Sequence, residues 1–329
     1  MKVLVCGGCG YIGSHAVIEL IKASHEVVVF DNVETGHTDS IPRGIDFVEG
    51  DLRQIEEVRD AFNNYQIQAV MHFAANSLVG ESVEDPLKYY ENNAFGTMNL
   101  LKVMAENNVD NIVFSSTAAT YGEPDQVPIV EDSQTKPTNP YGQTKLAVEK
   151  MLNWTEKAHG IKYVALRYFN VAGAHEEVDI GEDHEPETHL VPIILQVALG
   201  LRDHISIFGN DYDTEDGTCI RDYIHVVDLV KAHILALEHL IAGKPSNVFN
   251  LGNGKGFSVK EIIDAAREVT GHEIPAIIAP RRAGDPAQLV ASSKRAQRDL
   301  GWVPEYNSIV DIIRTAWAWH RRHPNGYQN

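Results

Sequence analysis

The sequence predicts an α/β fold: a doubly wound parallel sheet with a second, smaller α/β domain. Three observations predict it. Short apolar runs alternate with long amphipathic segments through the first half of the chain, the pattern of parallel strands covered by helices on both faces. The first run, Val3-Leu4-Val5-Cys6, leads into glycines at 7, 10 and 13 and then into a helical pattern. Beyond about residue 170 the alternation becomes irregular, and histidines and acids crowd into residues 171–189.

Taken in order, strand 2–6 is an apolar run that ends in the glycine turn, and helix 12–23 starts from that turn. Strand 26–31 ends in Asp31, and strand 45–48 is followed by Gly50 and Asp51 ahead of helix 54–64. Strand 69–73 leads into the small residues Ala74 and Ala75, and helix 87–107 follows. Strand 111–115 ends at Ser115-Ser116-Thr117, helix 141–158 opens on Tyr141, and strand 163–167 closes the half. Ligands in such sheets sit at the carboxyl ends of the strands, so the residues just after each strand are the candidates for chemistry. In the second half, helices are expected at 190–200, 225–242, 258–270 and 308–320, with a strand at 248–252. Residues 1–170 thus read as a Rossmann-type dinucleotide-binding domain. Residues 171–329 read as mainly a substrate-binding domain with segments that can return to the first, and the polar tail 321–329 is expected to fray.

The chain has 329 residues, which suits one large or two medium domains. A formal charge of −18 argues against a nucleic-acid surface, but not against an anionic ligand held by local arginines, for which Arg281 and Arg282 are candidates. Cys6 and Cys9 form a C-x-x-C that overlaps the glycine turn, without a second ligand pair to complete a zinc site. The odd cysteine count, with no signal peptide or long apolar span, points to a soluble cytoplasmic protein.

The glycine turn places backbone N–H groups at a helix N-terminus, where a pyrophosphate binds. Asp31, at the end of the next strand, can bond both adenosine ribose hydroxyls and would repel a 2′-phosphate, which favours NAD over NADP. Asp51 can cap a helix or accept from adenine N6. Small residues after Phe73, at Ala74 and Ala75, let backbone approach the cofactor. Tyr141 and Lys145 stand one helical turn apart on one face. A free phenol with a pKa near 10 needs a shift of about 3 units to be half ionised at neutral pH, and a neighbouring ammonium and a positive nicotinamide could supply much of it. Thr117 can bond the same substrate hydroxyl.

Together these residues resemble the extended short-chain dehydrogenase/reductase superfamily, in its nucleotide-sugar branch, and within it the C4 epimerases of UDP-hexoses. The resemblance covers nearly the whole chain: residues 7–15, His72-Phe73-Ala74-Ala75, residues 79–82, Pro140-Tyr141-Gly142 with Lys145, and residues 166–170. More specific are residues 207–212, 216–218 and 221–226, and Arg281-Arg282 with Gly284-Asp285. The resemblance implies a homodimer joined through helices 87–107 and 141–158, and an NAD that stays bound. It also implies interconversion of UDP-glucose and UDP-galactose. Tyr141 would take the 4-hydroxyl proton while the C4 hydride moves to the nicotinamide, the 4-keto sugar would turn over, and the hydride would return to its other face. Thr117 and Lys145 would assist Tyr141. The cofactor set becomes Gly7, Gly10, Tyr11, Ile12, Gly13, Asp31, Asn32, Asp51, Leu52, Phe73, Ala74, Ala75, Asn92, Ser115, Tyr141, Lys145 and Tyr168. The substrate set becomes Thr117, Tyr141, Asn170, His189, Leu190, Ile207, Phe208, Arg221, Arg282, Asp285 and Leu289, with Arg221 and Arg282 on the diphosphate.

Two positions depart from that pattern. Ser77 stands where many members have lysine, which bears on how tightly NAD is retained. Leu289 stands where some have tyrosine, which leaves a bifunctional epimerase acting also on UDP-N-acetylglucosamine as the alternative reading. The related 4,6-dehydratases need an acid and a base just after the threonine, where this chain has Ala118 and Ala119. A plain dehydrogenase would give net NADH, and a non-enzymatic NAD sensor would be free to lose Tyr141 or Lys145. Despite the histidines at 175, 184 and 189, no metal-binding spacing is present, and residues 171–189 read as a mobile acidic surface loop.

Overall fold

The computed structural model describes residues 1–282 and 285–327. Gly284 of the arginine motif and the last two tail positions, 328–329, lie outside the described residues.

The first half builds strands β1 (Lys2–Cys6), β2 (Glu26–Asp31), β3 (Asp46–Glu49), β4 (Ala69–His72), β5 (Asn111–Thr117) and β6 (Lys162–Tyr168). Between them run α1 (Tyr11–Lys22), α2 (Ile55–Asn64), α3 (Val79–Glu84), α4 (Pro86–Tyr89), α5 (Gly96–Glu106) and α6 (Pro140–His159). Alternate residues along the strands point to opposite faces. Val3, Val5, Val27 and Val29 join α1 in one buried cluster, and Leu4, Cys6, Val28 and Phe30 join α2, α5 and α6 in another.

The second half adds β7 (Asn170–Ala172), α7 (Leu190–Ala198), β8 (Ile205–Phe208), β9 (Ile220–Arg221), β10 (Tyr223–His225), α8 (Val226–Ile241), β11 (Asn247–Leu251), β12 (Phe257–Ser258), α9 (Val259–Thr270), β13 (Ala276–Ala279), β14 (Gln288–Leu289), α10 (Lys294–Leu300) and α11 (Ile309–His320). The central sheet is parallel and seven-stranded, in the order β11-β6-β5-β4-β1-β2-β3. Strand β11 comes from the second half and pairs with β6, while α8 lies against the face that α1 also covers. Strand order reverses between β1 and β4, and the crevice at their carboxyl ends is where such sheets bind dinucleotides. A separate core of Val191, Ile194, Leu195, Ile207, Ile262, Ile263, Ile312 and Ile313 joins α7, α9, α11 and β8 beside it.

The expected helix 87–107 is a helical run with a widened turn at Tyr90–Phe95. There Asn93 is buried and bridges to the 76 backbone and to Thr144 Oγ1, and local widening of this kind is frequent at functional sites. Strand β5 extends past 115 to Thr117, which pairs with Tyr168. The tail corrects its expectation. Residues 321–327 do not fray: His323 stacks on Trp319 and bonds Asp179 at 2.9 Å, and Tyr327 stacks on His37 while its backbone N–H donates to Asp183. Its aromatic residues supply the burial that polarity alone concealed.

Candidate active site

One cavity of about 1450 Å³ runs along the carboxyl ends of the sheet and under the second half of the chain. At one end is the glycine turn. Gly7 has φ +78°, and a Cβ on it would lie 2.5 Å from the Ala74 backbone N. A Cβ on Gly13 would lie 2.0 Å from the Gly7 carbonyl oxygen. Only glycine satisfies both positions, so β1, β4 and α1 meet at van der Waals distance. Gly10 caps α1 without a side-chain bond, which leaves the N–H groups of the first turn facing the cavity. This cradle fits the pyrophosphate of NAD. Asp31 is buried, and its oxygens accept from Cys9 N and Val33 N, each at 2.8 Å. Burial pushes its carboxyl up, and the two backbone bonds oppose the shift. Asp51 does not cap α2, whose N-cap is Gln54. Its carboxylate is instead occupied by the Arg53 backbone and guanidinium and by Asn32, because it stands three residues before that cap.

The chemistry lies further along. Asn139 caps α6 by accepting from Gly142 N at 2.8 Å, with Pro140 in the first turn. This brings Tyr141 and Lys145 to the cavity wall beside Thr117. Lys145 is buried and donates to the Ser115 carbonyl at 2.8 Å. Burial pulls its ammonium down to about 7, against the opposing charge of Glu149. Burial pushes the Tyr141 phenol up, and a hydrogen bond with Thr117 pulls it back. Behind them, Glu149 receives Arg167 through both oxygens at 2.9 and 2.5 Å, and Ser116 Oγ at 2.5 Å. Glu149, Asn76 and Asn93 were not identified from sequence, since nothing in their spacing marks them.

On the other side, Arg221 is held by the carbonyls of Ile220 and Pro286, both at 2.9 Å, and pairs with Asp285 at 3.3 Å. Arg282 stacks over Phe208, with its guanidinium carbon 3.9 Å from the ring centroid. Arg281 turns outward, stacked on Tyr212 and paired with Asp211. Asn170, His189, Leu190, Ile207, Phe208 and Leu289 line the same cavity, as do Tyr11, Ile12, Asn32, Leu52, Phe73, Ala74, Ala75, Asn92 and Tyr168. Ser115 does not line it. Its hydroxyl bonds His233 at 2.9 Å and lies beside the Tyr168 phenol of the cavity wall, and its carbonyl accepts from Lys145. Ala118 and Ala119 also line the cavity and offer no proton donor or acceptor on their side chains.

Residues 171–189 are only partly a surface loop: Glu176, Glu177, Asp179 and Glu185 are exposed, but the middle of the segment turns inward. Glu182 is 4% exposed, and the segment contributes Glu182, His184 and His189 to the cavity wall.

Residues 3–252 match the NAD dependent epimerase/dehydratase family. The chain belongs to that family. A UDP-glucose 4-epimerase of Halalkalibacterium halodurans is 59% identical over 327 residues, which cover 99% of this chain and 98% of the relative. Among solved structures, a UDP-glucose 4-epimerase superposes with a TM-score of 0.98 at 60% identity, each chain fully covered. A UDP-glucose 4-epimerase from Brucella ovis in complex with NAD superposes at 0.94 with 47% identity, over 96% of this chain and 97% of that one. Family membership thus covers the glycine cradle, Tyr141, Lys145 and the strand β11 that returns from the second half.

Proposed function

We propose that this chain is an NAD-dependent C4 epimerase that interconverts UDP-glucose and UDP-galactose. The observation that carries it is the joint placement of Tyr141, Lys145 and Thr117 on the wall of one cavity. That cavity runs from a pyrophosphate cradle to two arginines. Full-length similarity to named UDP-glucose 4-epimerases supports the same reading. When bound, NAD supplies a hydride acceptor and a positive ring near the phenol.

The rest is work for this chain's own residues. Thr117 and Tyr141 hold the 4-hydroxyl. Tyr141 Oη takes its proton as the C4 hydride leaves and returns it when the hydride comes back to the opposite face, so redox balances to zero. Lys145, fixed by the Ser115 carbonyl, stabilises the phenolate electrostatically. Arg221 and Arg282 hold the diphosphate, an anion for which paired guanidinium groups suit an otherwise acidic chain. Ala118 and Ala119 leave the sugar C5 and C6 without a proton-transfer partner, so water is not expelled. Activity on UDP-N-acetylglucosamine is not favoured by these comparisons, although Leu289 lines the cavity.

In this reading residues 1–170 hold NAD and 171–329 mainly hold substrate, with α8 and β11 as the returning segments. The UDP-sugar is the partner, and the protein works in the cytoplasm as a homodimer. An outward apolar face supports the dimer, with Leu87 77%, Val83 63% and Trp154 67% exposed on α4, α3 and α6. Light scattering at the mass of two chains would agree with it.

The test is to incubate purified protein with UDP-galactose and no added nucleotide, and to separate products by chromatography. UDP-glucose should form without net NADH. Absence of conversion even after NAD is added, or stoichiometric NADH, overturns the reading.

A further inference from the structure

Three side chains of α6 meet three successive residues at the end of β5. Tyr141, Lys145 and Glu149 are spaced four apart, so they stand on one face of the helix. Tyr141 bonds Thr117, Lys145 Nζ donates to the Ser115 carbonyl at 2.8 Å, and Glu149 Oε1 accepts from Ser116 Oγ at 2.5 Å. Alternation along the strand gives each serine hydroxyl its direction: Ser115 Oγ meets His233 on α8, while Ser116 Oγ meets α6. The first two members of the stripe line the cavity, and Glu149 stands behind its wall. The epimerase chemistry set out above gives Glu149 no part.

Glu149 is held on every side. Arg167 Nε donates to its Oε1 at 2.9 Å and Nη2 to its Oε2 at 2.5 Å, with both side chains buried. Arg167 also donates to Tyr121 Oη at 2.9 Å, and Tyr121 donates to Asn250 Oδ1 on β11 at 2.7 Å. Strands β5, β6 and β11 thus fix a carboxylate carried on α6. Its charge also reaches Lys145: burial lowers the lysine, and Glu149 opposes that shift. His72 on β4 stands near the lysine, and Tyr168 on β6 and Tyr89 on α4 stand near Tyr141. Burial pulls His72 down to about 3 and pushes both phenols up, so none of the three carries charge at neutral pH.

We propose that Glu149 is a positioning residue for proton transfer at Tyr141, acting through Ser116 on the strand end and through its charge on Lys145. The inference rests on the epimerase reading, in which Tyr141 takes the 4-hydroxyl proton. Ser116 lies between the residue that receives Lys145 and the one that bonds Tyr141. Holding Ser116 therefore fixes both bonds at once. A negative charge one turn from Lys145 favours its ammonium form, and the ammonium supports the phenolate. Arg221 and Arg282 hold the diphosphate on the other side of the cavity, so loss of Glu149 lowers kcat and leaves KM little changed.

The double variant Glu149→Leu with Arg167→Met removes the buried pair without leaving a lone charge. Its stability should approach that of wild type. Its kcat with UDP-galactose should nonetheless stay about 10–100-fold low at little-changed KM, the loss expected when reacting groups are misplaced. Ser116→Ala leaves the ion pair intact and should lower kcat about 10-fold. Nuclear magnetic resonance of the unliganded protein, with the Lys145 signal assigned by Lys145→Met, reads the charge link without turnover. In Glu149→Gln the lysine should titrate at lower pH than in wild type. A stable double variant with wild-type kcat, an undiminished kcat in Ser116→Ala, or an unmoved lysine titration overturns the proposal. Wild-type protein that fails to epimerise at all would count against the activity instead, and the lysine titration would still decide whether Glu149 acts on Lys145.

Discussion

Lys145 Nζ donates to the backbone carbonyl of Ser115 at 2.8 Å, from a side chain that is almost fully buried. The bond joins α6 to the end of β5 and fixes where the positive charge sits relative to Tyr141. Ser115 thus holds the lysine through its backbone, while its hydroxyl bonds His233 and lies beside Tyr168.

Lys145 makes pH-dependent stability predictable. Its ammonium is held down to about 7 by burial, below the ordinary 10.5. Between those values the unfolded chain binds a proton that the folded chain does not, so stability rises with pH through this window. Lys145→Met removes that dependence. The unliganded wild type should gain stability on the variant from about pH 7 to pH 10, as read by urea denaturation at each pH. Parallel curves would sink the argument. Turnover in the variant should fall about 10²–10⁴-fold, as for loss of a group that assists proton transfer.

The Glu149–Arg167 pair predicts a different signature. Both side chains are buried, and Glu149 takes two bonds from the guanidinium and one from Ser116. Glu149→Ala leaves a buried guanidinium without its carboxylate and should destabilise the protein by about 3–5 kcal/mol. The double variant Glu149→Leu with Arg167→Met should recover most of that loss. Equal destabilisation in both proteins would refute the uncompensated-charge account.

How much of this was legible depends on how local each signal is. The glycine turn, Asp31, and the pair Tyr141 and Lys145 are read from spacing within one strand–turn–helix or one helical turn, and the cavity gathers them all. Glu149 meets Arg167 across eighteen positions of chain, and no periodicity announces such a contact. Asn93 depends on a widened helical turn that has the same sequence pattern as an ordinary one. Asp51 looks like a cap until Arg53 takes its carboxylate. The acidic stretch after 175 reads as solvated because charge pattern says nothing about partners: Glu182 and Glu187 pair with His184 and His189, Glu177 with Lys22, and Asp179 with Arg322 and His323.

The glycine turn can be tested against a glycine that does not matter. A Cβ at Gly13 meets the Gly7 carbonyl at 2.0 Å, whereas a Cβ at Gly80 meets nothing within 4 Å. Gly13→Ala should lose bound NAD and cost stability of about 1–3 kcal/mol or more through overpacking. Gly80→Ala, in α3, should keep NAD and gain up to about 1 kcal/mol from helix propensity. Nucleotide content after purification and melting curves decide between them, and equal NAD retention would mean that the cradle tolerates a side chain there.

The two arginines of the substrate side should separate in kinetics. Arg221 is built into the wall by two carbonyls and Asp285, so Arg221→Met removes packing as well as charge and should lower both stability and substrate affinity. Arg282 is exposed and rests on the face of Phe208, so its loss should spare the fold. Hydrogen bonds to a charged group contribute about 1.5–3 kcal/mol. If Arg282 holds the diphosphate in ground state and transition state alike, Arg282→Met should raise KM about 10–100-fold with kcat little changed. Steady-state rates with UDP-galactose, alongside melting curves, resolve the two cases. A fall in kcat at unchanged KM would instead place Arg282 on the reacting sugar rather than on the diphosphate.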